Sequence, residues 1–406
     1  MKIKKINNEA WKNIKEVKRI FKAFGNDKIF FVGGVVRNSI LREKIGDIDL
    51  ATKINFKDSK SLLQTKGFKF YDLSKGHGTI SIFFKNTTLE ITSMRIDKKT
   101  YGRRAEVEFT GDIYLDSCRR DFSINAIYSS FDGEIYDPQK GLKDLKLKKV
   151  RFIGDPKKRI KEDYLRILRY VRFFTNYSNH KHKPEIIKII KRNIGGISKL
   201  SSERLIDEFK KLTKSHGFAK LFQDNDSLEI IEIIFPQLKN LAKFKKLNTH
   251  ARDNLFKIDF IFLLSLMIVD GTDNTDYFLY KFNISKKDQK RLKLIDFFYK
   301  EKTNLKNFTE KNFNKIFYFN GKQAVIDIIN FKLFTSNKVE KKLIKLIEVY
   351  KDKVIPTMPI GANTLMAKYN IPEGKILGNK LKMIEEAWVE NGFTISEKNI
   401  QKIAKG

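Results

Sequence analysis

The chain has 406 residues and is 41% hydrophobic, so it is long enough for several domains and apolar enough to bury a sizeable core. It contains no apolar run near the roughly 20 residues of a membrane span, and its first residues lack the apolar stretch of a secretory signal. The one cysteine, Cys118, excludes internal disulfides and fits a reducing compartment, so we predict a cytoplasmic protein with no membrane partner.

The chain is strongly basic. Lysine and arginine number 82 against 48 acidic residues, which gives a formal net charge of +34. Such an excess favours a polyanionic partner, because lysine and arginine displace the counterions of phosphates. The alternative is a compositional bias, since lysine, isoleucine, asparagine and phenylalanine are all abundant, as in proteins encoded by AT-rich genomes.

The first part of the chain mixes helix and strand patterns. Residues 8–24 space their apolar side chains as an amphipathic helix does. The apolar run IFFV at 29–32 predicts a buried strand, and Gly33-Gly34 predicts a turn. Residues 35–42 predict a short helix, and DIDLAT at 47–52 predicts a second strand.

Further strands are predicted in pairs. GTISIFF and TTLEITSM predict a hairpin that turns at Lys85-Asn86, and IYSSFDGEIYD predicts another with Asp-Gly at its tip. Between them, the charged and turn-rich stretch RIDKKTYGRRAEVEFTGD at 95–112 predicts a loop. Beyond about residue 150 the strand patterns end, and amphipathic helical patterns take over. We therefore predict an α+β head with a mixed sheet, followed by an all-helical remainder.

Asp47 and Asp49 stand two residues apart in the second predicted strand. Side chains alternate between the faces of a strand, so both carboxylates are expected on one face, about 6 to 7 Å apart. Two such oxygen ligands can hold one or two Mg²⁺ ions together with substrate phosphates. In-line phosphoryl transfer uses such a pair to stabilise the attacking and leaving oxygens. The alternative is a solvated aspartate pair.

The glycine pair Gly33-Gly34 lies between a predicted strand and a predicted helix, where backbone N–H groups can face a triphosphate. Arg37 follows one turn into that helix. The alternative is an ordinary tight turn. The order of strand, glycine pair, helix with arginine, and strand with D-x-D is more specific than any of its parts.

The stretch GGVVRNSILREKIGDIDLAT at 33–52 resembles motif A of the nucleotidyltransferase superfamily, in the branch of class II CCA-adding enzymes and bacterial poly(A) polymerases. That motif runs G-G-x-V-R-D, then an L-G step, then D-x-D-x-A-T. Asn38 stands where the family has aspartate, and Arg42 stands where it has glycine. Asn38 is expected to hydrogen-bond a neighbouring arginine without the charged pair that aspartate would form.

The run CRRDFSINAIY at 118–128 is similar to motif B of the same family, R-R-D-F-T-I-N-A. Arginine can donate a fork of hydrogen bonds to phosphate, so Arg119 and Arg120 are predicted to bind the triphosphate. Asp121 can accept a hydrogen bond from a ribose hydroxyl. The alternative for these three residues is an exposed charge cluster.

RIKEDYLRILRYVRFF at 159–174 is predicted as one helix, with Glu162, Arg166 and Arg169 on one face and Asp163 at its edge. The alternative is ordinary helix chemistry, since Glu162 and Arg166 form an i,i+4 pair. An aspartate beside an arginine matches the Watson–Crick edges of cytosine and adenine, whereas guanine and uracil place a carbonyl where the amine should be. The run resembles the family's base-reading motif, E-D-x-x-R. The resemblance implies that Asp163 and Arg166 select the base and that Glu162 orients Arg166.

Weaker similarities extend the resemblance. Glu90 stands where the superfamily often has a third acidic residue, with an exposed strand carboxylate as the alternative. Arg103 and Arg104 fall in the family's flexible loop, and SSERLIDEFKKL at 201–212 resembles a later helical motif. The resemblance divides the chain into four domains: a catalytic head (1–150), a neck with the base-reading motif (151–213), and a body (214–350) and tail (351–406) that bind tRNA.

The resemblance implies an enzyme that adds C, C and A to the 3′ end of tRNA from CTP and ATP. Addition would need no nucleic-acid template and would release pyrophosphate, with Mg²⁺ on Asp47 and Asp49 as the cofactor. Three alternatives remain. They are a bacterial poly(A) polymerase, a partial enzyme that adds only CC or only A, and a non-catalytic tRNA-binding protein.

Overall fold

The computed structural model describes residues 5–6, 9–72, 78–84, 87–101, 104–300 and 309–406. The chain divides into two compact units, Met1–Ile234 and Phe235–Gly406. All the strands among the described residues lie in the first unit, and the regular elements described in the second are helices. The predicted turn at Lys85-Asn86 and the predicted loop residue Arg103 lie outside the described residues.

Six strands of the first unit form one mixed sheet, and two more form a separate hairpin. In chain order they are β1 (Ile29–Val32), β2 (Ile48–Thr52), β3 (Thr79–Phe84), β4 (Thr87–Ser93), β5 (Arg95–Tyr101), β6 (Arg104–Phe109), β7 (Tyr128–Ser129) and β8 (Ile135–Tyr136). The sheet runs β3-β4-β2-β1-β7-β8, and its pairs are antiparallel except for β2 with β4. This mixed sheet confirms the predicted α+β head.

Helices make up most of the rest. The first unit contains α1 (Glu9–Lys12), α2 (Lys15–Phe24), α3 (Gly34–Leu41), α4 (Phe56–Thr65), α5 (Ile113–Cys118), α6 (Gly141–Lys146), α7 (Pro156–Glu162), α8 (Leu165–Tyr177), α9 (Pro184–Asn193), α10 (Ser202–Thr213), α11 (Phe218–Leu221) and α12 (Asn225–Ile234), with 3₁₀ turns at Ser123–Asn125 and Ile194–Lys199. The second contains a 3₁₀ turn at Leu241–Lys246, then α13 (Thr249–Asn254), α14 (Phe260–Ile268), α15 (Asn274–Phe282), α16 (Lys286–Lys300), α17 (Glu310–Asn320), α18 (Lys322–Thr335), α19 (Lys341–Asp352), α20 (Ala362–Tyr369), α21 (Lys375–Glu390) and α22 (Glu397–Lys405).

Strand β1 is buried along its whole length and forms the centre of the first unit. On one face Phe31 packs against two aromatic rings, with ring centroids 3.6 Å away for Trp11 and 4.7 Å away for Phe21. On the other face Phe30 and Val32 pack against residues of β2 and β7. Because β1 is packed on both faces, the position of its last residue is fixed. The position of the glycine turn that follows is therefore fixed as well.

The stretch predicted as a loop at 95–112 forms the hairpin β5–β6 as far as Phe109. The prediction of a flexible loop is therefore wrong for Arg104, which begins β6. Charged and apolar residues alternate in the sequence from Arg104 to Phe109, which is the period of a strand. Across the hairpin, Lys98 Nζ lies 2.8 Å from Glu108 Oε2. The high charge density concealed this alternation.

The single helix predicted over 159–174 is also wrong. Helix α7 ends at Glu162, and α8 begins at Leu165. Asp163 between them has extended backbone angles, φ −150° and ψ 106°. Its carboxylate accepts a hydrogen bond from the Leu165 N–H at 3.2 Å. Aspartate side chains satisfy free N–H groups at helix starts in this way, which favours a break over a continuous helix.

The second unit buries its own apolar side chains between its helices. One cluster joins α17, α18 and α19 around residues such as Phe313, Ile329 and Tyr350. A second joins α20, α21 and α22 around Leu365 and Ile384. Within the described ranges, no helix combines the length and the apolar character that crossing a bilayer requires.

Adjacent glycines give a matched test of the packing beneath the break at Asp163. A Cβ on Gly196 would lie 2.1 Å from the ring of Tyr164, whereas a Cβ on Gly195 would meet nothing within 4 Å. We expect Gly196→Ala to lower the free energy of unfolding by about 1–3 kcal/mol through overpacking. Gly195→Ala should change it by no more than about 0.5 kcal/mol. Urea unfolding followed by circular dichroism measures both, and equal midpoints for the two variants would contradict this packing.

Candidate active site

A cavity of about 480 Å³ opens in the first unit where the end of β1 meets β2, α8 and α10. Six of its lining residues are arginines, which are Arg37, Arg120, Arg166, Arg169, Arg172 and Arg204. Three are aspartates, which are Asp49, Asp121 and Asp163. Gly33 and Gly34 form part of the wall. The glycine motif, the two arginine motifs and one aspartate of D-x-D thus meet in one place, as the sequence predicted.

Gly33 has backbone angles that other residues rarely adopt, with φ at +75°. A Cβ at this position would lie 3.5 Å from Asp49 Oδ2 and 3.9 Å from the carbonyl oxygen of Asn125. Gly34 is the first residue of α3. The turn therefore needs glycine for its conformation, and it brings the start of a helix, with its free N–H groups, next to a carboxylate.

Three carboxylates lie around β2. Asp49 pairs in register with Glu90 on the parallel strand β4, so both side chains lie on the same face of the sheet. Asp47 is exposed and lies just before β2, so it is not a strand residue as predicted. Burial raises the pKa of Asp49 to about 6, and the charges of Glu90 and Asp47 add to that rise. Burial and Asp47 likewise raise the pKa of Glu90.

This donor set fits a hard divalent cation. Carboxylates whose ionised forms are disfavoured by burial and by one another gain stability when a cation neutralises them. Among the described residues, however, no three acidic, histidine or cysteine side chains are close enough to hold a metal by themselves. The arrangement suits a divalent cation that takes one or two carboxylates and completes its shell with water and substrate phosphate.

Arg37 is held at the cavity wall by two amides. Its guanidinium donates to Asn125 Oδ1 and, at 3.0 Å, to Asn38 Oδ1. It also lies 4.6 Å from the ring centroid of Tyr177. The hydrogen bond expected between Asn38 and a neighbouring arginine is confirmed. Arg37 Nε is buried and has no hydrogen-bond partner among the described residues.

Arg119 and Arg120 both pair with the buried carboxylate of Asp116. Arg120 lines the cavity, whereas Arg119 does not. From the other side, Arg159 on α7 donates to the backbone carbonyls of both arginines, at 2.6 Å for Arg120. The predicted phosphate-binding pair is therefore held by its side chains and by its backbone.

Asp121 is buried, and protein groups already occupy its acceptors. Oδ1 accepts from the Phe122 N–H at 2.8 Å and from Asn125 Nδ2 at 3.1 Å, and Oδ2 accepts from Arg169 Nε at 2.7 Å. Burial alone would raise the pKa of this carboxyl, but the Arg169 charge and these hydrogen bonds hold it well below its usual range. Arg169, which was predicted to lie on the base-binding face of a helix, thus pairs with Asp121. A ribose hydroxyl would have to compete with these partners.

The predicted base-reading residues are each held by another side chain. Arg166 Nη1 donates to Glu162 Oε2 at 2.6 Å, as the resemblance implied, and this contact crosses the break between α7 and α8. Asp163 Oδ2 accepts from Arg204 Nη2 at 2.7 Å. Asp163 and Arg166 both line the cavity, so both can face a base there.

Sequence reasoning missed several residues that shape the cavity, namely Asp116, Asn125, Arg159, Arg172, Arg204 and Glu208. Arg172 donates to Glu208, which is buried on α10. Arg204 and Glu208 belong to SSERLIDEFKKL, so the segment was identified but the roles of its side chains were not. For most of them no local signal marks the partner, which lies at least 36 positions away in the chain. Asp116 is the exception, since Arg119 and Arg120 follow it by three and four positions, a helical spacing that the sequence does contain.

Comparisons with known proteins agree with this geometry. A family model described as "Poly A polymerase head domain" matches residues 29–151, and one described as "Probable RNA and SrmB- binding site of polymerase A" matches residues 183–241. The human mitochondrial CCA tRNA nucleotidyltransferase 1 is 31% identical over 395 residues, which are 94% of this chain and 87% of the human protein. The CCA-adding enzyme of Bacillus subtilis is 29% identical over 390 residues, 93% of either protein.

Solved structures share the fold. The Bacillus stearothermophilus CCA-adding enzyme in complex with CTP superposes with a TM-score of 0.70 at 20% identity, covering 97% of this chain and 98% of that one. The Thermotoga maritima CCA-adding enzyme complexed with tRNA gives 0.61 at 18% identity, covering 98% and 97%. The resemblance first seen in the glycine, aspartate and arginine motifs is thus confirmed over nearly the whole length, and the chain belongs to the CCA tRNA nucleotidyltransferase family of the poly(A) polymerase superfamily.

Proposed function

We propose that this protein adds C, C and A to the 3′ end of tRNA from CTP and ATP, without a nucleic-acid template, and releases pyrophosphate. One observation carries the proposal. A single cavity brings together the Asp49 carboxylate, a glycine turn at a helix start, and the Asp163–Arg166 pair, whose donors and acceptors match two of the four bases. We also propose the cytoplasm as its compartment, on the basis of the lone cysteine.

Enzymes of this family generally use divalent metal ions. In this protein Asp47 and Asp49 would hold Mg²⁺, which when bound supplies the charge that stabilises the attacking 3′-oxygen and the departing pyrophosphate. Glu90, in register with Asp49, adds negative charge that strengthens the preference for a cation at this place.

The triphosphate would lie against the glycine turn. Gly34 at the start of α3, Arg37 and Arg120 all line the cavity there. Arginine presents a planar fork of donors that matches phosphate oxygens. These groups are held by other protein groups before substrate arrives, so they orient the phosphates without reorganising.

Base selection would come from Asp163 and Arg166. Asp163 accepts a hydrogen bond from the exocyclic amine of cytosine or adenine, and Arg166 donates to the neighbouring ring nitrogen or carbonyl. Guanine and uracil would set a carbonyl oxygen against the Asp163 carboxylate, and the two acceptors repel. The two side chains can act as a fixed template because Glu162 holds Arg166 and Arg204 holds Asp163.

The helical remainder would bind tRNA. We retain the division into a head at 1–150, a neck at 151–213, a body at 214–350 and a tail at 351–406 as a proposal, with body and tail as the tRNA-binding domains. A basic surface recognises structured RNA mainly by shape and by contacts to phosphate and 2′-hydroxyl groups.

One assay tests the proposed reaction directly. The protein is incubated with tRNA that lacks its last three nucleotides and with labelled CTP and ATP, separately and together, and products are resolved at single-nucleotide length. We expect two additions with CTP alone and three with both nucleotides. Long adenylate tails would indicate a poly(A) polymerase instead, and no extension at all would reject the proposal.

The carboxylates of D-x-D should serve chemistry rather than RNA docking. We expect Asp49→Asn and Asp47→Asn to lower kcat by at least about 10³-fold, because charge stabilisation in the transition state is lost. The tRNA dissociation constant should change little. Asp132→Asn, which alters an exposed carboxylate at the tip of the β7–β8 hairpin, serves as the matched control. Full Mg²⁺-dependent turnover by both active-site variants would contradict the assignment.

Asp163 and Arg166 either select the base or only belong to a structural network of ion pairs. The choice of nucleotide distinguishes these two roles. If the pair forms the base template, Arg166→Ala and Asp163→Ala should reduce the preference for CTP and ATP over UTP and GTP. Each lost contact should be worth about 1–3 kcal/mol of discrimination, or roughly 5- to 150-fold. The measurement is kcat/KM for all four nucleotides. Arg192→Ala, an exposed arginine on α9, is the control, and ratios equal to wild type in both site variants would leave only the network.

Salt dependence tests whether the charge of +34 binds RNA. If several phosphates are neutralised, the association constant for tRNA should fall with salt with a log–log slope of about −0.7 to −0.9 per contact, several units in all. Filter binding from 50 to 200 mM potassium chloride measures the slope. A slope near zero would mean that the excess of lysine reflects a bias in amino-acid composition and does not contribute to tRNA binding.

A further inference from the structure

Asp116 on α5 accepts hydrogen bonds from four other residues of the first unit. Its side chain is fully buried, and both arginines of motif B pair with it. Arg119 Nε lies 2.7 Å from Oδ1, and Arg120 Nη2 lies 3.0 Å from Oδ2. Burial alone would raise the pKa of this carboxyl, but the two guanidinium charges hold it well below its usual range. Asp116 is therefore an ionised carboxylate at neutral pH.

The same carboxylate is tied to the central sheet. The Tyr128 hydroxyl donates to Asp116 Oδ2 at 2.6 Å and accepts from Arg120 Nε at 2.9 Å. Tyr128 begins β7 and pairs with Val32, the last residue of β1. Val32 is followed directly by the glycine turn. Asp116 thus joins the two arginines to the strand end that presents the triphosphate-binding turn.

A third connection leads to the β5–β6 hairpin. The backbone N–H of Arg95, the first residue of β5, donates to Asp116 Oδ1 at 3.3 Å. The Arg95 side chain lies in the same region, where burial and the Arg119 charge lower its pKa. The base of the hairpin and the arginine pair therefore share one carboxylate.

On the proposed function, we infer that Asp116 is a positioning residue that fixes Arg119 and Arg120 relative to the glycine turn and the hairpin base, and that it thereby sets the affinity for the nucleotide triphosphate. Asp116 is not among the residues that line the cavity, so we assign it no direct contact with the nucleotide. It acts by directing Arg120 towards the phosphates, because a guanidinium bound along one edge keeps its remaining donors in a fixed plane.

The backbone should stay in place when Asp116 is altered. Arg159 donates to the carbonyl oxygens of Arg119 and Arg120 independently of Asp116. The loss therefore falls on the orientation of the two side chains. A purely structural ion pair would behave differently, since its loss would lower stability and the active fraction without changing the nucleotide KM.

The test compares Asp116→Asn with Asp327→Asn. Asp327 on α18 is also buried and also pairs with an arginine, Arg291, but it lies in the second unit. We expect Asp116→Asn to raise the KM for CTP and for ATP about tenfold or more, as misplaced binding groups do. The KM for tRNA should stay within about twofold of wild type. In Asp327→Asn the nucleotide KM should remain at the wild-type value even though the unfolding midpoint falls.

Two outcomes overturn the inference. One is a nucleotide KM in Asp116→Asn within about twofold of that in Asp327→Asn. The other is a loss of activity that the folded fraction alone accounts for. If Asp116→Asn does not fold, Tyr128→Phe decides, since it removes one donor to Asp116 and keeps the ring. It should raise the nucleotide KM about threefold, and an unchanged KM would overturn the inference.

Equilibrium dialysis with ATP and Mg²⁺, without tRNA, separates this inference from the proposed function. Wild-type protein that binds ATP but does not extend tRNA would reject CCA addition. In that case an Asp116→Asn variant with about tenfold weaker ATP binding would still support the positioning role, and equal binding by the two proteins would reject it.

Discussion

Buried carboxylates hold the arginines of the cavity in place, and the site depends on these pairs. Asp116 fixes two arginines, Asp121 fixes Arg169, and Glu208 fixes Arg172. Each carboxylate is at most 8% exposed, so its charge is little screened by water. Removing one partner of such a pair leaves an uncompensated buried charge, which typically costs about 3–5 kcal/mol. The arginines can therefore present their remaining donors to a ligand without losing their positions.

The pairs are also linked to one another, and Arg159 supplies the link. It donates to the backbone of Arg119 and Arg120 on one side and to Glu162 Oε2, at 2.5 Å, on the other. Glu162 in turn accepts from Arg166. The arginine pair of motif B and the base-selecting Arg166 are thus connected through one set of hydrogen bonds. The helix break at Asp163 lies between Glu162 and Arg166, which are both members of this set of hydrogen bonds. A change in the orientation of α8 would therefore be transmitted to Arg119 and Arg120.

The sequence predicted the elements whose signals are local. The apolar stripe of α2, the buried strand β1, the glycine turn and the Asp-Gly hairpin all follow from spacing or turn chemistry within a few residues. It failed where a local signal competed with a distant one. The helical wheel over 159–174 assumed a continuous helix. Asp163 instead ends α7, accepts hydrogen bonds from the Leu165 N–H and from Arg204, and precedes a tyrosine that packs on Gly196. The alternative partners of Asp121 and Asp163 could not be derived, because they lie 48 and 41 positions away.

The cavity and the rest of the surface differ in their source of positive charge. The chain is rich in lysine, yet no lysine is among the described residues that line the cavity, where six arginines stand. A lysine ammonium is a hydrated point charge on a flexible stem, whereas a guanidinium is planar and can bond a carboxylate on one edge and a phosphate on another. A general bias towards lysine in composition would not place arginine selectively against buried carboxylates. The charge at the site is therefore set by geometry, and the total of +34 does not explain how these arginines are placed.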